Sequence, residues 1–537
     1  MRAAVAIVIL LGIIIGVIFV IQRLTKKEQT GPSDGGDIIA YLLLALAVGT
    51  AGFSLAALAR AAFPGNSVVF NTPDQVATSL AGLVVAGPIA VLIWRRQAER
   101  RTLHPDSGGW TVYLAIMEAV FLGAFVFAAF SFLDWLIGEG SSPQWTDVLI
   151  FGGIVVFHQV ANAHSPPSSD AAGLPRVVGS AIGLTVLVTG VGGALYYVFE
   201  EIYSSFAAQA GGTDLGDPLA AILIGAPIWY WRWWRPWPTP PAWPRQAWLY
   251  VVSTISMATT IGVVTLAGIL TISYFTSAAA DAGLHFDFLP GALAVAIVAE
   301  LAWFLHRSRL ASDHTSPLEA YQYSLAALGI GTAVGAATWL AALAFDNNEL
   351  VTPSTEAVVA TAIVTLVGAM VWLYFWSAAS RGPREEIVTG WPRRFYLLGL
   401  AVIMGLTAAG SLIATLVVLF QMAFDAEPGD SLAVSTALFI FSGAVTWHLL
   451  RENAKDREMI VSEDVVTPFA VTLICYHPGQ IASKFPEAAR LRVIYTDDEA
   501  AVVSEEMAAE IVEAVGHRSS IVWVEGTGFR IAGAREQ

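Results

Sequence analysis

Residues 289–309 read LPGALAVAIVAELAWFLHRSR. From Leu289 to Leu305 the run carries a single charge, Glu300, and His306, Arg307 and Arg309 follow directly. A transmembrane helix needs about 20 mostly apolar residues. Tryptophan collects at the headgroup level, and arginine collects on the cytoplasmic side. The stretch therefore reads as a helix that crosses a bilayer and ends in the cytoplasm.

The pattern repeats on both sides of it. Apolar runs lie near 3–22, 38–61, 74–94, 110–133, 147–163, 176–199, 218–231, 246–276, 288–306, 320–345, 354–377, 395–424 and 431–450. The chain is 56% hydrophobic and only 13% charged, where a soluble domain carries about 25% charged residues. A water-soluble fold of this length could not hide that much apolar surface. The fold class is an all-α polytopic membrane protein with about 13 transmembrane helices. They form one N-terminal anchor (1–30) and six parallel helix-hairpin repeats, spanning 38–101, 110–164, 175–235, 246–309, 318–381 and 392–457.

The hairpins end alike: IWRRQAERR (from Ile93), APIWYWRWWR (from Ala226), ELAWFLHRSR (from Glu300), MVWLYFWSAASR (from Met370) and VTWHLLREN (from Val445). The second hairpin departs, with Phe157-His158 in place of tryptophan. Arginine and lysine sit in the loops between hairpins. The loops inside hairpins hold carboxylates, such as Asp134, Glu139, Glu200, Asp214, Asp281, Asp346 and Asp425, and no basic residue. Short cytoplasmic loops carry the basic excess. This places the N-terminus outside and the C-terminus in the cytoplasm, with every hairpin entering and leaving on the cytoplasmic side. The run 3–22 has one basic residue before it, Arg2, and Arg23, Lys26 and Lys27 after it. That is the reverse of a cleaved signal peptide, so it reads as a retained anchor.

Near Val465 the composition changes. FAVTLICY (469–476) and LRVIYT (491–496) read as strands, 499–515 as an amphipathic helix, and SIVWVE with GFRIAG as a hairpin about Gly526-Thr527-Gly528. Residues 465–537 thus form a small soluble α+β domain. It is marginal at that size, which points to docking on the membrane domain or on a protein partner in the cytoplasm. The one cysteine, Cys475, lies in a strand and reads as a buried, inert thiol. The net charge of −15 is segregated into loops and tail, and no basic stripe for nucleic acid exists.

The paired helices and their endings resemble an uncharacterised bacterial membrane family, a domain of unknown function found singly or in tandem. The likeness is carried by Ala226–Trp233, Glu300–Arg309 and the starts Trp248-Leu249-Tyr250 and Phe395-Tyr396-Leu397, and covers roughly 38–457. It implies architecture and a bacterial inner-membrane location, and no activity.

Two intramembrane carboxylates stand out as a polar site. Glu300 lies well inside its run and Glu118 lies in YLAIMEAVF. A charge at the centre of a membrane helix costs about 2.5–3.5 kcal/mol, so such a group faces protein, is paired or is protonated. The run Trp229, Trp231, Arg232, Trp233, Trp234, Arg235 and Trp237 reads as an interfacial contact to lipid or a partner. His158, Gln159, Asn162 and His164, with His306 and His448, have no spacing that fixes a metal or haem ligand set, so no cofactor is expected. Gly12/Gly16, Gly331/Gly335 and Gly190–Gly193 have helix-contact spacing. No nucleophile elbow, HExxH motif or pair of carboxylates at a plausible catalytic spacing is present, which argues against an enzyme. Two classes remain. One is a non-enzymatic sensor, scaffold or assembly factor with a cytoplasmic tail. The other is a transporter using Glu300.

Overall fold

Long apolar runs without water must close their backbone hydrogen bonds internally, so they become helices. In the computed structural model, residues 34–533 are described apart from 64–72, 104–107, 138–143, 168–170, 172, 208–214, 235–242, 277–284, 314, 346–354, 382–386, 389, 425–431, 463–468, 476–488, 496–502, 516–519 and 526–527. The anchor at 1–30 lies outside the described residues.

Among the described residues, twelve long helices follow one another in this region: α1 (Asp34–Ala62), α2 (Pro73–Leu103), α3 (Gly108–Leu136), α4 (Trp145–His164), α5 (Leu174–Ala207), α6 (Gly216–Trp233), α7 (Trp243–Thr276), α8 (Leu289–Asp313), α9 (Thr315–Phe345), α10 (Thr355–Ala379), α11 (Trp391–Ala423) and α12 (Leu432–Ser462). Eleven are long and apolar enough to cross a membrane. The exception is α6, 18 residues long and ending in Trp-Tyr-Trp-Arg-Trp, whose polar ring atoms and guanidinium dilute its apolar character. Large apolar side chains such as Leu92, Val84 and Leu223 point outward, as expected where lipid is the solvent.

The chain divides into two compact units. The first holds the helices up to Arg381 together with 407–442. In it α1 packs on α2, α3 and α4, and α3 also meets α5 and α6. Further on, α5 packs on α6 and α8, and α7 packs on α8, α9 and α10, while α9 packs on α10. Two of these contacts depend on missing side chains. A Cβ at Gly190 of α5 would stand 2.7 Å from the backbone nitrogen of Ile222 on α6. One at Gly329 of α9 would stand 2.6 Å from that of Trp372 on α10. The expected contact at Gly331/Gly335 is displaced: both glycines face open space, and Gly329 makes the close approach instead. Gly12 and Gly16 lie outside the described residues.

The second unit spans 382–406 and 443 onward. Arg393, at the start of α11, reaches Asp456 near the end of α12 through two hydrogen bonds of 2.6 and 3.0 Å, a buried fork. The tail in this unit has β1 (Phe469–Cys475), β2 (Ala489–Tyr495), α13 (Glu505–Val515), β3 (Ser520–Glu525) and β4 (Gly528–Gly533). The sheet order is β2-β1-β3-β4, with β1 parallel to β2 and β3, and β3 antiparallel to β4. One sheet face carries Val471, Leu473, Val522 and Val524 against Met507, Ile511 and Val515 of α13. Cys475 is buried in this core, and burial pushes its thiol pKa up, so it is a poor nucleophile.

Candidate functional site

The helix hydrogen-bond ladder of α3 is interrupted by a π-helical turn, Glu118–Leu122. A π-turn adds a residue to the helix and re-aims the side chains beside it. Here it accompanies a Glu118 that is almost fully buried between helices. Its partner is Arg232, four residues into the tryptophan-rich end of α6, and the two form an ion pair. Arg232 is oriented in turn by Arg176 of α5, whose Nε donates to the Arg232 carbonyl at 2.7 Å. Gly179 of α5 makes room for both charges. A Cβ there would lie 2.5 Å from the Glu118 carboxylate and 2.9 Å from the Arg232 guanidinium. A second pair, Arg60 with the buried Asp147, ties α1 to α4.

Two aromatic cages flank this junction, each around a buried histidine. His158 of α4 holds its Nδ1 2.8 Å from the Ile154 carbonyl. That nitrogen therefore carries the proton, and Nε2 accepts from the Tyr113 hydroxyl at 2.7 Å. Trp94, Phe121 and Phe157 complete the wall. His306 of α8 repeats the arrangement, with Nδ1 2.8 Å from the Ala302 carbonyl and no exposed surface. Its wall is Trp233, with ring centres 4.9 Å apart, and Trp229 and Trp248 beyond it. Here Nε2 meets no hydroxyl. The Nε2 of His306 and the indole nitrogens of Trp229 and Trp248 are buried with no hydrogen-bond partner among the described residues. The Arg309 guanidinium lies over the Trp234 ring at 4.6 Å and the Trp233 ring at 5.4 Å, a favourable cation–π geometry.

The tryptophan run thus has two faces. Trp229, Arg232 and Trp233 turn into the bundle, where Trp233 is 1% exposed. Trp231 and Trp234 remain at the surface, and Arg235 and Trp237 lie outside the described residues. Trp229 and Trp233 are buried and Arg232 is partly buried beside them. The i, i+3, i+4 spacing of 229, 232 and 233 puts them on one helical face, and α5 covers that face.

Glu300 is placed quite differently from Glu118. It is exposed on the outer face of α8. No hydrogen bond or ion pair from the described residues reaches it, and the nearby Tyr321 phenol feels it only electrostatically. Glu118 and Glu300 do not share a site. The histidines are likewise kept in separate cages, and His164 is exposed. Among the described residues no group of three His, Cys, Asp or Glu could hold a metal ion. No spacing pairs Arg232 with Glu118 in the sequence; the signal pointing that way is the scarcity of cations inside apolar runs. A buried carboxylate requires one, and Arg232 belongs to an otherwise apolar and aromatic helix end.

The comparisons with known proteins agree with this layout. The family described as Domain of unknown function (DUF5671) matches residues 37–157 and again residues 319–449. Each match covers four helices, α1–α4 and the stretch from α9 into α12. Helices α5–α8 lie between the two matched stretches. No curated protein and no solved structure matches the chain.

Proposed function

We propose, from the two matches to the family described as Domain of unknown function (DUF5671), that the chain is a non-catalytic membrane module: a sensor, scaffold or assembly factor. Its place is the bacterial cytoplasmic membrane, with the N-terminus outside and residues 465–537 in the cytoplasm, where they meet a protein partner.

What supports this reading is the way the intramembrane polar groups are used. Glu118 is neutralised by Arg232, Asp147 by Arg60, and Glu356 accepts a hydrogen bond from Ser273. Each pair joins two helices, which is how a packed bundle spends its polar groups. A coupled pathway instead needs several such groups along one water-filled route. The orientation rests on the arginine asymmetry of the loops.

Two measurements test the reading. Proteoliposomes holding the full chain should leak protons and small cations no faster than empty vesicles. A leak that Glu300→Gln abolishes would overturn the scaffold reading in favour of transport. For orientation, a cysteine introduced at Gln209 should react with an impermeant maleimide added outside intact cells. Protection there, with reaction only after lysis, reverses the topology.

A further inference from the structure

The two histidine cages differ by one hydroxyl. In the first, Tyr113 brings its hydroxyl 2.7 Å from Nε2 of His158, so the chain itself engages both ring nitrogens. In the second, the Ala302 carbonyl can only accept, so Nδ1 of His306, 2.8 Å away, carries the proton. A second proton on Nε2 would bury a charge with the Arg309 guanidinium already over the neighbouring Trp233 ring. Nε2 of His306 therefore presents a lone pair. Two further buried polar atoms belong to the same cage, the indole N–H groups of Trp229 and Trp248. None of the three has a hydrogen-bond partner among the described residues. Buried polar groups are as a rule paired, with protein or with ordered water. The ring spacing leaves a place for such a partner. Trp233 packs against the imidazole with ring centres 4.9 Å apart, while Trp229 and Trp248 stand back at 6.4 and 6.3 Å. That wider separation suits one oxygen between the ring edges, about 2.9 Å from each nitrogen.

We propose that the second cage binds one guest hydroxyl oxygen, from water or a small alcohol, which accepts from the indole N–H groups of Trp229 and Trp248 and donates to Nε2 of His306. A hydroxyl has one donor and two acceptor lone pairs, which matches two donors and one acceptor. A buried water usually makes about three hydrogen bonds of this kind. Other ligand classes match less well. A metal ion would find a single lone pair, because an indole N–H only donates. An anion would face the Nε2 lone pair, and a carbonyl has no proton to give it. The guest thus does for His306 what the Tyr113 side chain does for His158. The site is independent of whether the chain moves a solute.

NMR of the full chain in micelles, with nitrogen-15 in the tryptophan indoles, tests the site. Trp229→Phe and Trp248→Phe identify the two signals. With bulk water as the probe, both indole protons should transfer magnetisation to one long-lived water. If the source is an alcohol, the transfer goes to its carbon-bound protons, and native mass spectrometry retains it as added mass. His306→Phe removes the acceptor and should abolish the transfer at both indoles together, with the remaining indole signals showing that the chain is folded. His158→Phe should leave the transfer intact. A second readout uses the unaltered chain, so it holds even where His306→Phe fails to fold. Nitrogen-15 in the histidines should give Nε2 of His306 the same hydrogen-bond shift as Nε2 of His158, whose donor is a known hydroxyl. The proposal is overturned by indoles that transfer to neither water nor alcohol, or by transfer that survives in folded His306→Phe. It is overturned equally by a scalar coupling that joins an indole nitrogen directly to Nε2, or by an Nε2 shift that shows no hydrogen bond.

Discussion

Glu118 and Glu300 are the same residue in nearly the same sequence setting, yet one is enclosed between three helices with an arginine against it and the other stands on the outside of the bundle. Composition and hydropathy treat them alike. What separates them is the face of the helix on which each falls and which neighbour covers that face. The difference teaches that an intramembrane carboxylate can lock helices of one chain together or stand on the outer face with no hydrogen bond or ion pair from the described residues.

The sharpest way to break the comparison is to strip Glu118 of its partner. Arg232→Met leaves a buried carboxylate uncompensated, which typically costs about 3–5 kcal/mol. Equilibrium unfolding of the chain in mixed micelles should register that loss. Adding Glu118→Leu should recover most of it, because removing both charges is often neutral. If Arg232→Met alone is harmless, the ion pair is not what holds α3 to α6.

A smaller effect is expected at Gly179. Alanine there puts a methyl group against both charged side chains and should cost about 1–3 kcal/mol, as overpacking does. Gly331→Ala on α9 is the control, since its added carbon meets nothing within 4 Å. It should be neutral or slightly stabilising, because alanine is the better helix former.

How much of this could be read from the sequence depended on whether a feature is local or relational. Apolar run length marks the helices of the membrane region, and period-two alternation with the Gly526–Gly528 turn marks the strands of the tail; both are local. Burial is relational. The tryptophan run looks uniformly interfacial until α5 claims the face with Trp229, Arg232 and Trp233. Gly331/Gly335 have contact spacing, but Gly329 lies on the side that α10 occupies. Glu118 stands out in the sequence but Arg232 does not stand out as its partner, because two helices, α4 and α5, separate them in the chain and no spacing rule links α3 to α6.

The two histidine cages extend the same contrast. His158 is satisfied by the chain on both nitrogens and His306 on one. Tyr113→Phe would make the first cage resemble the second, leaving the buried Nε2 of His158 without its donor. The expected cost is about 1–3 kcal/mol, the desolvation penalty of an orphaned acceptor, read as a lowered melting temperature in micelles. With no guest hydroxyl in the second cage, His306→Phe should cost less than His158→Phe, because one hydrogen-bonded ring nitrogen is removed rather than two. The reverse order would mean that Nε2 of His306 has a partner in the membrane-embedded protein, as a bound hydroxyl would be.

Last and smallest is the effect of Glu300 on the fold of a single chain. An exposed side chain that touches no partner contributes little, and surface substitutions of this kind stay within about 0.5 kcal/mol. Glu300→Leu should therefore leave monomer unfolding in micelles unchanged within that margin, whereas Glu118→Leu with Arg232 left in place should not, because it strands a buried guanidinium. A clear loss of monomer stability in Glu300→Leu would mean that the carboxylate is bonded within its own chain. The two glutamates would then differ in partner, and no longer in kind.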